Sequence, residues 1–200
     1  MLAAGPALCL GIDPHAGMLA DWGLPDDADG LREFGLLAAE AARDGGAPIV
    51  KPQVAFYERH GAAGLAALED TIAAARAAGL WVIADAKRGD IGSTMTGYAD
   101  AWLRPGAPLE SDALTVSPYL GLDSLAPAID AARTHGKVLF VLVATSNPEG
   151  PDVQLARVGS SRTLAADILD RVRQRNETAG PDASPLGVVI GGSGNGEQIA

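Results

Sequence analysis

The chain has 200 residues, 48% of them hydrophobic, and a formal net charge of −10 at pH 7, which suits one domain with a sizeable core. That acidic balance argues against nucleic acid or an anionic membrane as a general partner, because the overall field repels phosphate. No apolar stretch reaches the roughly 20 residues that span a bilayer, and no basic region leads into an apolar one at the N-terminus, so the sequence reads as soluble, unexported and cytoplasmic. Cys9 is the only cysteine. It excludes a disulfide framework or a cysteine metal cluster, and its apolar flanks predict a small core residue.

Apolar, β-branched runs recur at residues 7–12, 48–50, 80–84, 113–116, 138–143 and 186–190. Helical periodicity fills the intervals at about 29–44, 61–78, 94–103, 121–135 and 161–179, each long enough to cross over a sheet. The alanine-rich stretch at 62–68 reads as helix, since alanine is the best helix former. Strand and helix in alternation imply a parallel sheet.

Nearly every predicted strand runs into polar residues: Asp13-Pro-His15, Lys51-Pro-Gln53, Asp85 and Lys87, Ser117-Pro-Tyr119, and Thr145-Ser-Asn147. In a parallel α/β barrel all those C-terminal ends gather at one rim, where such barrels do their chemistry. An open doubly wound sheet collects them only around its switch point. No Walker or GxGxxG motif follows an early strand, so the pattern favours the barrel.

The densest chemistry lies in Trp81-Val-Ile-Ala-Asp-Ala-Lys-Arg-Gly-Asp-Ile-Gly-Ser-Thr94. A strand over 81–84 that continues through this stretch places Asp85 and Lys87 on one face, where they are expected to touch. Gly89 is expected to let the backbone turn, sending Asp90 off the strand axis toward the pair or toward a second chain. Taken alone, the stretch also fits a structural ion pair with Arg88 and Asp90 as solvated loop charges. His15 sits on a rim loop, within reach of a ligand or acting as a loop hydrogen-bonder, while His60 and His135 fall near helix boundaries and read as solvated. Arg88 and Arg104 read as surface or interface charges. No trio of His, Asp and Glu has metal-ligand spacing, so neither a metal nor another cofactor is predicted.

Five segments together resemble the orotidine 5'-phosphate decarboxylase family, in its bacterial long-loop subgroup. They are Leu10-Gly-Ile-Asp-Pro-His15, Val50-Lys-Pro-Gln-Val-Ala-Phe56, Asp85-Ala-Lys-Arg-Gly-Asp-Ile-Gly-Ser-Thr94, Thr115-Val-Ser-Pro-Tyr-Leu-Gly121 and Ala144-Thr-Ser-Asn-Pro-Glu-Gly150. The resemblance implies a TIM-type (β/α)8 barrel, working as a homodimer, that converts orotidine 5'-phosphate to uridine 5'-phosphate (UMP) without a cofactor in pyrimidine biosynthesis. It assigns Lys51, Asp85, Lys87 and Asp90 to a catalytic charge network. Asp13 and Lys51 would hold ribose hydroxyls and Ser117 the pyrimidine edge, with Asp90, Ile91 and Thr94 reaching the partner subunit's site. The chemistry suits these charges: loss of carbon dioxide leaves a poorly stabilised ring anion, and the Lys87 ammonium can both stabilise and protonate it. Asp85 would keep Lys87 charged in a dry pocket, and would crowd the substrate carboxylate.

The resemblance covers residues 8 to about 190, with about six of the eight barrel strands present. The barrel domain is therefore set at 1–190, with 191–200 as a flexible, glycine-rich tail that does not match the family. Two further strand and helix units, carrying the main phosphate grip, and an N-terminal helix under the barrel floor would complete the family pattern. Six strands do not close such a barrel. A metal-dependent phosphosugar decarboxylase of the same wider group, or an inactive truncated remnant, are the alternatives. If sites are shared across subunits, mixing inactive Lys87→Ala and Asp90→Asn chains should restore partial turnover, and the absence of any recovery would refute sharing.

Overall fold

A computed structural model describes residues 7–159, 162–180 and 185–192. They fall into two compact units, the first formed by Met1–Ala86 with Ala101–Leu114 and the second by Lys87–Asp100 with Thr115–Ala200. Residues 193–200, most of the predicted glycine-rich tail, lie outside the described residues.

In the first unit β1 (Cys9–Ile12), β2 (Ile49–Pro52), β3 (Trp81–Arg88) and β4 (Ala113–Val116) follow one another in sheet order. β3 and β4 begin in this unit and end in the second. β1 and β2 pair in parallel with Gly11 opposite Lys51, and β2 pairs with β3 through Ile49 opposite Trp81 and Val50 opposite Val82. β2 reaches Pro52, so Lys51 lies within the strand instead of after it. Cys9 is exposed, contrary to the expected core position; β1 is the terminal strand in the sheet order, and its alternation buries Ile12 instead.

Helix α1 (Ala16–Asp21) and the short α3 (Ala55–Glu58) were not legible from periodicity, being barely a turn or two long. His15 caps α1, its Nδ1 accepting the Met18 N–H at 3.1 Å. Helix α2 (Ala28–Asp44) starts at Asp27, whose carboxylate accepts the N–H groups of Asp29 and Gly30, the arrangement that satisfies otherwise orphaned donors. Its stripe Leu31, Phe34, Ala38, Ala39 and Ala42 is buried, and it packs on α4 (Gly61–Ala77). The axes approach closely at Gly35, where a Cβ would lie 2.1 Å from Thr71 Oγ1. His60, expected in solvent, is half-buried at the start of α4, with Nε2 3.5 Å from Asp26. Asp26 also pairs with Arg59, whose guanidinium holds the Asp26 carboxyl below the usual range.

The second unit carries the ends of β3 and β4, then β5 (Val138–Ala144) and β8 (Leu186–Ile190), with β5 and β8 parallel and Leu139 opposite Leu186. Helix α5 (Gly92–Leu103) follows β3, beginning in this unit and ending in the first. The expected helix over 121–135 divides into a 3-10 turn, Leu122–Leu125, and α6 (Ala126–His135), which stops at Gly136 in the left-handed conformation, φ +64°. That is a backbone state glycine adopts without a Cβ penalty. The loop after β5 contains a short helix α7 (Gly150–Gln154) and an antiparallel pair, β6 (Arg157–Val158) with β7 (Arg162–Thr163). The helix expected from residue 161 therefore begins at Leu164 as α8 (Leu164–Ala179), capped by the Thr163 hydroxyl. Ile168 and Leu169 pack on Val143, Ala144 and Ala165, and the Asn176 amide donates to Leu186 O at 2.8 Å.

Gly35→Ala should destabilise the chain by about 1–3 kcal/mol through overpacking, measured by denaturant unfolding. Thr71→Ala in the same chain should recover part of that loss by removing the colliding hydroxyl.

Candidate active site

In the first unit the strand ends assemble a charged group around one buried carboxylate. Asp85 is 7% exposed, and its Oδ2 accepts hydrogen bonds from Lys51 Nζ and Gln53 Nε2, both at 3.0 Å. An unpaired carboxylate at that burial would be costly, and the ammonium and amide offset much of its desolvation. The backbone holds the partners in place: Gln53 bridges Asp85 in parallel register, and Val54 N–H donates to Asp85 O at 3.3 Å. Asp13 follows β1 with its carboxylate folded toward Gly11, where an added Cβ would fall 2.7 Å from Asp13 Oδ2. Partial burial raises the Cys9 thiol above its usual range, with smaller electrostatic effects from Lys51, Asp13 and Asp85. Gln53 was not among the expected site residues. Its spacing two positions beyond Lys51 was the available signal, because period-2 geometry keeps such pairs on one side.

In the second unit the end of β3 departs from a regular strand. Lys87 has φ +51° and is the sole non-glycine residue with positive φ among the described residues. Such backbone costs about 1–3 kcal/mol and persists where the surroundings impose it, commonly at functional sites. Here the Lys87 N–H donates to Thr115 Oγ1 at 2.9 Å, and Ser117 N–H donates to Arg88 O at 2.8 Å. Thr115 is buried on β4 and was missed, its hydroxyl being indistinguishable in sequence from any β-branched strand residue. Gly89, where the chain leaves β3, also serves close approach, since a Cβ there would meet Ser117 O at 2.5 Å.

Lys87 itself is exposed, a departure from the expected dry pocket. Asp90 is half-buried and accepts the Ile91 N–H at 2.8 Å, while Ile91 and Thr94 are exposed at the start of α5. Ser117 is half-buried after β4. Arg88 lies over the Tyr98 ring, 5.6 Å from its centroid, and Arg104 is exposed. His15 is occupied as a helix cap.

Two substitutions separate backbone strain from side-chain chemistry at this turn. Lys87→Gly should leave stability unchanged or raise it by up to about 1 kcal/mol, because glycine accepts positive φ. Thr115→Val should lower stability by about 1–3 kcal/mol by stranding the Lys87 N–H. Thermal and denaturant unfolding of both variants checks this, and a large destabilisation in Lys87→Gly would contradict the strain assignment.

Residues 6–198 match the orotidine 5'-phosphate decarboxylase / HUMPS family. The chain is 55% identical over 193 residues to an orotidine 5'-phosphate decarboxylase of Nocardioides sp., covering 94% of this chain and 68% of that protein. Among solved structures, a candidate orotidine 5'-phosphate decarboxylase of Streptomyces avermitilis superposes with a TM-score of 0.88 at 51% identity, covering 96% of this chain and 67% of that one. The orotidine monophosphate (OMP) decarboxylase of Leishmania donovani gives a TM-score of 0.74 at 34% identity, covering 91% and 64%. The chain spans about two thirds of the length of these relatives. Its parallel strands with intervening helices are part of a TIM-type (β/α)8 fold. On sequence and structure together, the chain belongs to the orotidine 5'-phosphate decarboxylase family.

Proposed function

We propose that this chain carries the decarboxylase chemistry of its family: orotidine 5'-phosphate loses carbon dioxide to give UMP in pyrimidine biosynthesis, as a carbon–carbon lyase. The observation that carries this reading is the Asp85–Lys51 pair at 3.0 Å followed, two residues along β3, by Lys87 in a strained left-handed conformation. In the reaction the bond from the ring carbon to the carboxylate carbon breaks and its electron pair stays on the ring. The Lys87 ammonium stabilises that pair and passes a proton from Nζ to the same carbon. The resulting amine regains its proton from water, so no cofactor or metal is required.

Asp85, paired with Lys51 and two residues before Lys87 on β3, keeps the ammonium charged and repels the substrate carboxylate until carbon dioxide leaves. Asp13 and Lys51 take the ribose hydroxyls, and Ser117 the pyrimidine edge. Asp90, Ile91 and Thr94 serve the site of the second subunit in a cytoplasmic homodimer. Ile91, 61% exposed, has apolar surface for such a contact. Substrate and partner together would supply the dry surroundings that Lys87 lacks here. Residues 1–190 form the decarboxylase barrel portion. A metal-dependent phosphosugar decarboxylase is not favoured by the names of the relatives.

The test is loss of orotidine 5'-phosphate ultraviolet absorbance with the purified chain. Turnover should be unaffected by chelator and fall at least about 10³-fold in Lys87→Ala, where donor and counter-charge vanish together. Equal inertness of wild type and variant would mean that this length of chain lacks the activity. Near-normal turnover in the variant would overturn the role of Lys87.

A further inference from the structure

A second candidate site lies wholly within the second unit and shares no residue with the strand ends. A cleft of about 640 Å³ is lined by Asp123 of the 3-10 turn, Arg133 of α6, and Arg171, Gln174, Arg175 and Thr178 of α8. The four α8 positions follow i, i+3, i+4, i+7 spacing and therefore occupy one helix face. Three guanidiniums around one cleft run against the character of a chain with only 15 Lys and Arg and a net charge of −10. Among the lining residues three positive charges face one negative, and Asp130 and Asp167, beside Arg133 and Arg171, bring the wider group to neutrality.

Neighbouring carboxylates hold the arginines in place. Arg175 Nη2 lies 2.5 Å from Asp123 Oδ1, Arg171 Nε 2.6 Å from Asp167 Oδ2, and Arg133 Nη1 3.7 Å from Asp130 Oδ1. Each contact uses one nitrogen of a group with five N–H donors, so the pairs fix the side chains and leave donors over. Arg171 and Arg175 are like charges at i, i+4, an arrangement that disfavours an isolated helix and that Asp167 and Asp123 offset in part.

We propose that this cleft binds a phosphorylated small molecule, with Arg133, Arg171 and Arg175 around its phosphate. Planar guanidinium forks are suited to phosphate oxygens, Gln174 adds an amide donor, and the volume lies in the range of small-ligand sites.

Thermal unfolding of the purified chain in inorganic phosphate and in pyrophosphate, each against chloride at equal ionic strength, tests the proposal. Both anions should raise Tm beyond chloride in wild type, in Arg173→Gln, whose side chain pairs with Glu177 outside the cleft lining, and in Lys87→Ala. Arg171→Gln/Arg175→Gln should require at least tenfold more anion for the same shift. If circular dichroism finds that double variant unfolded, Arg133→Gln on α6 takes its place with the same expectation. Shifts no greater than those in chloride, shifts retained in the cleft variants, or shifts lost in Lys87→Ala would each overturn the assignment.

Discussion

The buried carboxylate of Asp85 is the constraint around which the first unit's strand ends are organised. A group 7% exposed and ionised needs both charge and donors close by, and it has them in Lys51 and Gln53 at 3.0 Å each. Those partners, one in β2 and one directly after it, meet Asp85 only if β2 and β3 keep their register, because a one-residue slip would turn Lys51 and Gln53 to the other face. The registers of Ile49 with Trp81 and Val50 with Val82 are thus coupled to the electrostatics at the strand ends. Core packing beneath and ion pairing above specify the same alignment.

The second unit solves a different problem, that of holding one lysine in an unfavourable backbone state. Thr115 satisfies the Lys87 N–H, and the close passage of Ser117 past Gly89 keeps the two chain segments in contact. Strain of this kind is sustained by the packing of neighbours and cannot be produced by a local sequence preference. It aims a flexible, four-carbon side chain from a defined starting point. That preorganisation suits the proton-donor role proposed for Lys87.

Charge is distributed with similar economy elsewhere. An acidic chain repels anions at long range, so any anionic ligand must be held by local concentrations of cations. Lys51 and Lys87 at the strand ends are proposed for one such role, and the three arginines of the cleft on α6 and α8, fixed by carboxylate neighbours, for another. Pairing at the rim of such a cleft stabilises little in water; its effect is to restrict the rotamers of long side chains before a ligand arrives.

What the sequence by itself determined is the parallel α/β plan and the identity of the chemistry-bearing segments. Apolar runs and helical periodicity located the strands β1 to β5 and β8 and the helices α2, α4, α5 and α8 to within a few residues, because burial period is written locally along the chain. Lys51, Asp85 and Lys87 were legible as charged residues at the ends of apolar runs, and their joint role followed from the family resemblance. Short helices such as α1, α3 and α7, and the β6–β7 pair, were not, since so few residues carry no period. Only the tertiary structure decided that Gln53 shares Asp85 with Lys51, that Thr115 anchors a left-handed Lys87, that Gly89 is required for the approach of Ser117, and that Cys9 is exposed. Each of these depends on which residue a distant strand places opposite, and that pairing is set by global register and packing, beyond the reach of any local pattern.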